Sequence, residues 1–461
     1  MQDVVVILAL LLGGIIVTHE YFRVRRRSQV DFLMGVSFLY FICYCVVPIY
    51  IQTLQDTDLG FWNWIFRLSF GAREYALASI LSIAGYMAIV AGYHAADFKA
   101  AQHFGARFKS WIIPETFKII TAAAFGMLGV LSLFIYANEV GGFAIMVQAV
   151  GFFRNQTEAY SDLGFFIKIA PFTSLSSYLF WDLVTSTNRT VRKTAFSIGF
   201  VLTFVSSLLI LYSMGGRVQF VFYLMTFVLY ASFRRGQLPL PHVLAATAAF
   251  MFVILFGKEI INYNVYVSDD LIGTAWEDIS ADPFVGIRKL LVEFVFPYVS
   301  LSYLVEMVPD SLSYRWFIDI PLGVAYLLPK PLLGLNLPPT ITMIYDDVLD
   351  VPIPIDLLSF GYTSFGVIGS ILVCLAFGAL VCVADAFFPP NELRILALLR
   401  AAWLLYLSAQ VMYGTPQHAL VAGFPLLVGT CVIMACGKRL TYHQVSREQC
   451  PSEGQFLGSI R

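Results

Sequence analysis

The sequence predicts an all-α protein that crosses a membrane many times. Hydrophobic residues make up 59% of the 461 residues and charged residues only 13%, against roughly 25% charged in soluble domains. Apolar runs of helical length follow one another along most of the chain, and a helix needs about 20 such residues to cross a hydrocarbon core. The net charge is −1, and no stretch interleaves basic and aromatic residues. A nucleic-acid partner is therefore not expected.

About eleven spans are predicted from the apolar runs. They cover residues 3–20, 31–52, 75–95, 116–137, 163–183, 195–213, 218–233, 241–257, 362–386, 396–413 and 419–436. The first run is followed by the basic residues RVRRR, whereas a signal peptide carries its charges before the apolar stretch. We therefore predict that it is a retained first helix.

The connecting segments alternate in charge and predict the orientation. RVRRR, KAAQHFGARFK, NRTVRK, RRGQ and the GKR of the tail are basic, while the segments between them contain few Lys or Arg. Basic loops face the cytoplasm. The N-terminus is then outside and the C-terminus inside.

One connection is far longer than the others and divides the chain into four parts. These are an N-terminal bundle (1–257), a long outer loop (258–361), C-terminal helices (362–440) and a cytoplasmic tail (441–461). Loops of this length are usually functional or disordered, and the loop is rich in aromatic residues and proline. We predict a lid on the outer face, with a mostly apolar helix broken at Pro297 and a later proline-interrupted segment that is interfacial or re-entrant.

Two outer arginines are candidate ligands for an anion. Arg217 follows two glycines in YSMGGRVQF, and Arg154 lies in an outer loop with its own glycine pair. A guanidinium grips phosphate through two parallel hydrogen bonds and stays charged at any pH. The alternatives are an interfacial anchor at Arg217 that reaches the lipid headgroups and an ordinary surface arginine at Arg154.

A second basic pair opens the helix predicted in the long loop. Arg288 and Lys289 are the first charged residues of an otherwise mostly apolar helix. On this helix Lys289, Glu293 and Ser300 share one stripe. Such a stripe can line a wet groove. It can equally be the solvated face of an interfacial helix.

The candidate acids and bases are His418, Glu293 and Asp356. His418 lies in the short outer loop GTPQHAL and is either a general base or a polar turn residue. Asp356 belongs to an acidic cluster with Asp346, Asp347 and Asp350, which can act as a base, bind a divalent cation or be a solvated loop. Cysteine spacing suits neither disulfides nor zinc, and no nucleotide-binding motif is present. No metal and no cofactor are predicted.

Four segments together resemble a known family. They are ILYSMGGRVQFVFYLMTFVLYASFR, the long loop LVEFVFPYVSLSYLVEMVPDSLSYRWFIDIPLGVAYLLPKPLLGLNLPPT, LLSFGYTSFGVIGSILVCLAFGAL and GGFAIMVQAVGFFRNQ. They are similar to the span-Gly/Ser-Arg-span signature, the periplasmic loop, the FG-containing helix start and the outer Gly-Gly…Arg loop of the Wzy-type polymerases. That family makes O-antigen, capsule and exopolysaccharide from oligosaccharide repeat units.

The resemblance implies an inverting, metal-independent glycosyltransferase of GT-C type in the bacterial inner membrane, with its active site facing the periplasm. The donor and the acceptor would be undecaprenyl-pyrophosphate-linked glycans, and a chain-length regulator is a further candidate partner. Arg217, Arg154, Arg288 and Lys289 would stabilise the pyrophosphate leaving group. The base that accepts the proton of the acceptor hydroxyl would be His418, Glu293 or Asp356.

Two other functions remain open. An O-antigen ligase of related architecture would use the same donor with a different acceptor. A transporter or flippase of lipid-linked glycans would carry out no chemistry, and such proteins usually show paired broken helices and internal repeats.

Overall fold

The computed structural model confirms an all-α membrane protein. It describes residues 2–24, 30–53, 72–96, 111–148, 165–213, 217–235, 290–328, 338–344, 354–388, 394–435 and 438–439. Its helices, in chain order, are α1 (Gln2–Val24), α2 (Phe32–Phe41), α3 (Val47–Thr53), α4 (Ala72–Ala95), α5 (Glu115–Glu139), α6 (Phe143–Gln148), α7 (Phe165–Ile169), α8 (Phe172–Ser186), α9 (Thr190–Ser213), α10 (Arg217–Arg235), α11 (Phe296–Met307), α12 (Asp319–Ala325), α13 (Leu357–Phe387), α14 (Arg394–Ala409) and α15 (Pro416–Ala435). A π-helical turn, Ile42–Val46, joins α2 to α3.

Within the described ranges, seven helical stretches are long and apolar enough to cross a membrane. They are Asp3–Arg23, Phe32–Gln52, Arg73–Ala95, Glu115–Glu139, Thr190–Ser213, Leu357–Phe387 and Pro416–Ala435. Two shorter apolar stretches, Val218–Ala231 and Ile395–Ala409, coincide with further predicted spans. The chain is therefore a multi-pass membrane protein, and the total of about eleven spans stays a prediction.

Two predicted spans differ from, or lie beyond, these helices. The predicted span 163–183 is divided, because α7 ends at Ile169 and α8 begins at Phe172. Pro171 lies between them and cannot donate the backbone hydrogen bond that a continuous helix requires. The predicted span 241–257 lies outside the described residues.

Local sequence signals set the helix ends. Asp31 caps α2, its carboxylate accepting a hydrogen bond from the Met34 N–H at 2.9 Å. Helix α5 stops where Gly141 and Gly142 adopt positive φ angles of 99° and 109°, which glycine reaches without steric cost. The Gly142 N–H then donates to the Ala137 carbonyl at 2.6 Å, so a carbonyl in the last turn is satisfied.

Helices α4 and α13 pack backbone against backbone. A β-carbon at Gly92 would overlap the Leu375 carbonyl oxygen, and one at Gly378 would overlap that of Ile89. Small residues allow such close approach, which favours association of helices in a membrane. Gly85 faces Cys374 while Gly378 faces Ile89, so the two helices run in the same direction.

The bundle has two ends that differ in what they carry. The loop-bearing end holds the described parts of the predicted long loop, residues 290–328, 338–344 and 354–361. The predicted loop boundary at residue 361 is wrong, because α13 already begins at Leu357. Helix α11 packs there on α4, where the Tyr298 hydroxyl donates to the Tyr75 carbonyl at 2.9 Å. Helix α12 packs on the start of α15, since a β-carbon at Gly323 would lie 2.9 Å from the Gln417 nitrogen.

The opposite end holds a short antiparallel strand pair. Strand β1 (Trp111–Ile112) pairs with β2 (Lys438–Arg439), and Trp111 lies opposite Arg439. The segment that follows the basic loop KAAQHFGARFK therefore meets the start of the basic tail. This agrees with the prediction that the two basic segments share one side.

Candidate functional site at the loop-bearing end

Helix α13 is a helical hairpin rather than one straight helix. Its helical geometry is interrupted at Phe365 (φ −157°, ψ 37°) and Gly366 (φ 62°, ψ −149°). The Ser370 hydroxyl donates to the Leu358 carbonyl at 2.9 Å, although these residues would be about 18 Å apart along a straight helix. A short arm (357–364) therefore folds back along a long arm (367–387).

Glycines make the reversal possible. A β-carbon at Gly361 would lie 2.5 Å from the Ser370 Cα, and one at Gly369 would overlap the Gly361 carbonyl oxygen. Gly366 has the positive φ at the turn, a conformation that favours glycine. The two arms are thus in backbone contact.

Asp356 anchors the start of the short arm. It is fully buried, and its Oδ1 accepts hydrogen bonds from the Leu358 and Ser359 N–H groups at 2.9 and 3.1 Å. Tyr44, in the π-helical turn of the second span, donates to the same oxygen at 2.6 Å, and the Ser359 hydroxyl donates to Oδ2. Because Tyr44 lies well inside that span, the short arm begins deep in the bundle.

A segment after α14, residues 411–414, closes the other side of Asp356. The Leu357 N–H donates to the Val411 carbonyl at 3.4 Å, and the Gly414 N–H donates to the Ile355 carbonyl at 3.0 Å. A β-carbon at Gly414 would overlap the Leu357 Cα. Asp356 is therefore enclosed by the chain rather than held in a solvated acidic loop.

His418 lies next to this segment in the first turn of α15. Its ring stacks on Tyr413 with centroids 4.9 Å apart and an interplanar angle of 24°, and its backbone N–H donates to Thr415 Oγ1 at 3.4 Å. The side chain is half-buried. Within the described part of the chain, its ring nitrogens make no hydrogen bond, so one of them can accept a proton.

Glu293 lies three residues before the residue of the loop that contacts Tyr413. It lies in a turn, and α11 begins only at Phe296, whose ring lies 5.4 Å from that of Tyr413. The expected single stripe of Lys289, Glu293 and Ser300 is therefore wrong for its last two members, because a turn separates them. Ser300 is fully buried, and its hydroxyl has no partner among the described residues.

An arginine that the sequence analysis missed ties the loop to the hairpin. The backbone N–H of Arg315 donates to the Thr363 carbonyl at 3.0 Å. Its guanidinium donates to both oxygens of Asp319, at 2.6 and 3.0 Å, and to the Pro339 carbonyl at 2.8 Å. The Arg-x-x-x-Asp spacing of this pair was the available signal. With its charge already paired, Arg315 serves to fix the loop.

The predicted anion-binding residues fall mostly outside the described chain. Arg217 is the first residue of α10, close after the end of α9 at Ser213, while its side chain is not described. Arg154, Arg288 and Lys289 lie outside the described residues. In the described part, no three His, Cys, Asp or Glu side chains group closely enough to hold a metal ion, and Asp346, Asp347 and Asp350 lie outside it.

The opposite end of the bundle contains a largely buried carboxylate and a buried guanidinium close to each other. The Asp385 carboxylate accepts hydrogen bonds from the Phe32 N–H at 3.2 Å and the Tyr93 hydroxyl at 2.7 Å. The Arg400 guanidinium lies 3.8 Å from Asp385 and donates to the Val30 carbonyl at 3.1 Å. Arg400 is only 4% exposed, so it points into the bundle and does not reach out to the lipid headgroups.

A second charged group joins the end of α1 to the start of α2. Arg23 pairs with Glu20 and with Asp31, and Glu20 also accepts a hydrogen bond from the Ser37 hydroxyl at 2.7 Å. These contacts gather the ends of five helices: α1, α2, α4, α13 and α14.

Comparison with protein-family models, with curated proteins and with solved structures finds no match for this chain.

Proposed function

We propose that the chain is a glycosyltransferase that joins lipid-linked oligosaccharide repeat units into a surface polysaccharide, with its active site at the loop-bearing end. The four segments that resemble Wzy-type polymerases support this proposal. So does the packing of the loop over the hairpin, since an embedded site must exclude water while a lipid-linked substrate reacts.

The observation that carries the proposal is the position of His418. Its ring stacks on Tyr413, and Phe296 of the loop packs on the same tyrosine. The free ring nitrogen would take the proton of the acceptor hydroxyl as that oxygen bonds to the anomeric carbon of the donor. The bond from this carbon to the pyrophosphate breaks at the same time, and the leaving group keeps the electron pair.

The other predicted residues take two kinds of role in this proposal. Arg217, Arg154, Arg288 and Lys289 would receive the negative charge that develops on the leaving pyrophosphate. Glu293 is the second candidate base. Asp356, enclosed and already accepting four hydrogen bonds, is a positioning residue that holds the short arm.

The location belongs to the same proposal. The basic segments at the opposite end favour a cytoplasmic position for that end, so the loop-bearing end would face the periplasm of a bacterial inner membrane. There it would meet undecaprenyl-pyrophosphate-linked donor and acceptor glycans, with a chain-length regulator as a further partner.

One observation favours a rival function. Helix α13 is broken into two arms, and broken helices at mid-membrane depth are typical of transporters. A flippase for lipid-linked glycans is therefore the second candidate, and an O-antigen ligase is a third that differs in its acceptor.

Purified protein in detergent, given undecaprenyl-pyrophosphate-linked repeat units, separates these functions. With no gradient, nucleotide or added metal, a polymerase makes longer lipid-linked glycans, because the pyrophosphate–sugar bond supplies the driving force. A transporter leaves single repeats, and a ligase extends only lipid A core supplied as acceptor. Loss of elongation with a chelator and recovery with magnesium would move the site to the cluster of Asp346, Asp347 and Asp350.

A further inference from the structure

The exposed side chains of the long loop change in character at Trp316. Before this point the loop presents mainly polar groups, since the exposed residues from 306 to 313 are Glu306, Pro309, Asp310, Ser311 and Ser313. From 316 to 328 every exposed residue is apolar, and these residues are Trp316, Ile318, Ile320, Pro321, Val324 and Leu328. An exposed apolar patch of this kind marks a surface that contacts another protein, a ligand or a membrane.

The apolar residues share one face of a short helix. Hydrogen-bonded turns extend α12 in both directions, from Arg315 to Leu328. Ile320, Val324 and Leu328 follow one another at intervals of four residues, which places them on the same face. The opposite face of the helix is buried against the protein and carries Asp319, Leu322, Gly323 and Tyr326. The only charged residue of α12 is therefore turned inward, and its exposed face has no polar side chain.

Trp316 extends this apolar face towards the hairpin of α13. The side chain is 66% exposed, and the centroid of its ring lies 5.0 Å from that of Phe365 at the hairpin turn. Its backbone N–H donates to the Ser364 carbonyl at 3.0 Å. Trp316 and Phe317 have positive φ angles of 53° and 61°, which bulky residues seldom adopt and which persist only where the surrounding contacts hold them. The fold thus keeps an exposed tryptophan beside the start of the long arm.

Two membrane-spanning helices fix the depth of this segment. The long arm of α13 and helix α15 are each about 30 Å long at about 1.5 Å per residue, which equals the thickness of a hydrocarbon core of about 30 Å. Both begin at the loop-bearing end, so their first turns mark the edge of the hydrocarbon there. Trp316 contacts Phe365 just before the long arm, and a β-carbon at Gly323 would lie 2.9 Å from the nitrogen of Gln417 in the first turn of α15. The segment 316–328 therefore lies where the hydrocarbon meets the headgroups.

The apolar face is continuous with the lipid-facing surface of the bundle. Directly after the hairpin turn, Val367 and Ile368 are exposed on the long arm, and exposed leucines and isoleucines continue along that span as far as Leu375. On a membrane-spanning helix such side chains contact lipid tails. Tryptophan is enriched at the level where Trp316 lies, because its ring suits the boundary between headgroups and hydrocarbon.

We propose that the segment 316–328 is an interfacial membrane anchor of the long loop. Trp316, Ile320, Val324 and Leu328 insert between the acyl chains just below the headgroups of the leaflet at the loop-bearing end. Amphipathic helices that lie in the plane of an interface bury their apolar face in this way. Of the two alternatives for this proline-interrupted segment, interfacial and re-entrant, the contacts favour the first. This membrane contact does not depend on the proposed glycosyltransferase function.

The test maps lipid contacts of the full-length wild-type protein in phosphatidylcholine nanodiscs. One sample contains a trace of phosphatidylcholine that carries a diazirine on the acyl chain close to the glycerol, and a second sample contains a probe with the diazirine at the chain end. Mass spectrometry of peptides locates the lipid adducts after photolysis. The shallow probe should label 316–328 at a yield similar to that at Ile368 and leave 309–313 unlabelled. The chain-end probe should label Leu375, about 12 Å further along the long arm than Val367, and should label 316–328 far less.

Val324→Glu places a charge on the apolar face. Its shallow-probe adducts on 316–328 should fall severalfold, because a carboxylate is unfavourable in an apolar environment. Ser311→Glu is the matched control, since it adds the same side chain at an exposed polar position of the same loop, and it should keep the wild-type map. Both variants should keep the wild-type unfolding midpoint in detergent, because both positions are exposed. If Val324→Glu does not reach the membrane, the wild-type map decides alone.

Three results would overturn the proposed anchor. Oxidation of Trp316 by hydroxyl radicals, with no lipid adduct on 316–328, would show that the segment faces water. Protection of 316–328 from both the lipid probes and the radicals would assign its apolar face to a protein partner or a second copy of the chain. Labelling of 316–328 by the chain-end probe as strongly as at Leu375 would make the segment re-entrant.

Discussion

The two ends of the bundle each largely bury a carboxylate, and the two carboxylates, Asp385 and Asp356, are stabilised in different ways. At the opposite end, carboxylates pair with guanidinium groups, as Asp385 does with Arg400 and Asp31 with Arg23. At the loop-bearing end, the fully buried Asp356 accepts only hydroxyl and backbone N–H groups in the described structure. Asp385 is thus paired with a cation, whereas Asp356 is stabilised by hydrogen bonds alone.

This difference separates residues that stabilise the fold from a residue that is available for catalysis. An ion pair fixes helix ends but consumes the charge of both partners, as it also does for Arg315 and Asp319. The hairpin of α13 is held by backbone contacts, glycines and neutral hydrogen-bond donors. In the described chain the ring of His418 makes no hydrogen bond. We therefore expect changes at His418 to alter activity and changes at the ion pairs of the opposite end to alter stability.

The largest effect should come from His418→Phe. Phenylalanine keeps a ring that can stack on Tyr413 but has no nitrogen to accept a proton. If His418 is the base, the elongation rate should fall about 10²–10⁴-fold, with an unchanged unfolding midpoint. Elongation at the wild-type rate would transfer the role to Glu293, for which Glu293→Gln is the matched variant.

The next largest effect should come from Asp385→Leu at the opposite end. It leaves the buried Arg400 guanidinium without its carboxylate, and the Phe32 N–H and Tyr93 hydroxyl without an acceptor. Breaking a buried pair costs about 3–5 kcal/mol, so the unfolding midpoint in detergent should fall clearly. The double variant with Arg400→Leu should recover part of the loss, and a double variant that is no more stable than Asp385→Leu would contradict the ion-pair interpretation.

The helices of this fold could be predicted because their signal is local. The run before RVRRR became α1, and the apolar stretch before GKR became α15. The hairpin of α13 was missed, because LLSFGYTSF is less apolar than the run after it, so the predicted span began only at 362 and most of the short arm was assigned to the long loop. Hydropathy does not detect a reversal of chain direction, and only Gly361, Gly366 and Gly369 carried that signal.

The candidate site was predictable in part. His418 and Asp356 were found as polar residues in apolar surroundings, yet their neighbourhood depends on the 411–414 segment, which no local pattern reveals. The stripe through Glu293 failed because a proline helix start lies between Glu293 and Ser300. The charged residues of the opposite end come from four different helices, so their pairing could not be derived from spacing along the chain.

A smaller effect is expected at Asp356, where two substitutions separate capping from catalysis. Asp356→Ala removes the cap of the short arm and the partner of the Tyr44 hydroxyl, which together should cost about 2–3 kcal/mol. Asp356→Asn keeps an acceptor oxygen, so it should cost less than about 1 kcal/mol and retain elongation. Loss of elongation in a normally stable Asp356→Asn variant would instead make Asp356 the proton acceptor.

The smallest effect should come from an ion pair that the opposite end carries on its surface. Arg192 Nη1 lies 3.2 Å from Glu115 Oε1, with the two side chains 53% and 49% exposed. Water screens such a pair, which is worth about 0–1 kcal/mol, so Arg192→Gln should leave the unfolding midpoint almost unchanged at any salt concentration. The matched variant is Lys118→Gln on the same side of the bundle, because Lys118 Nζ lies 2.6 Å from Asp182, whose side chain is fully buried. That change leaves a buried carboxylate without its cation and should lower the midpoint several times more. Equal shifts in the two variants would show that charge alone, rather than burial of the pair, decides how firmly this end is held.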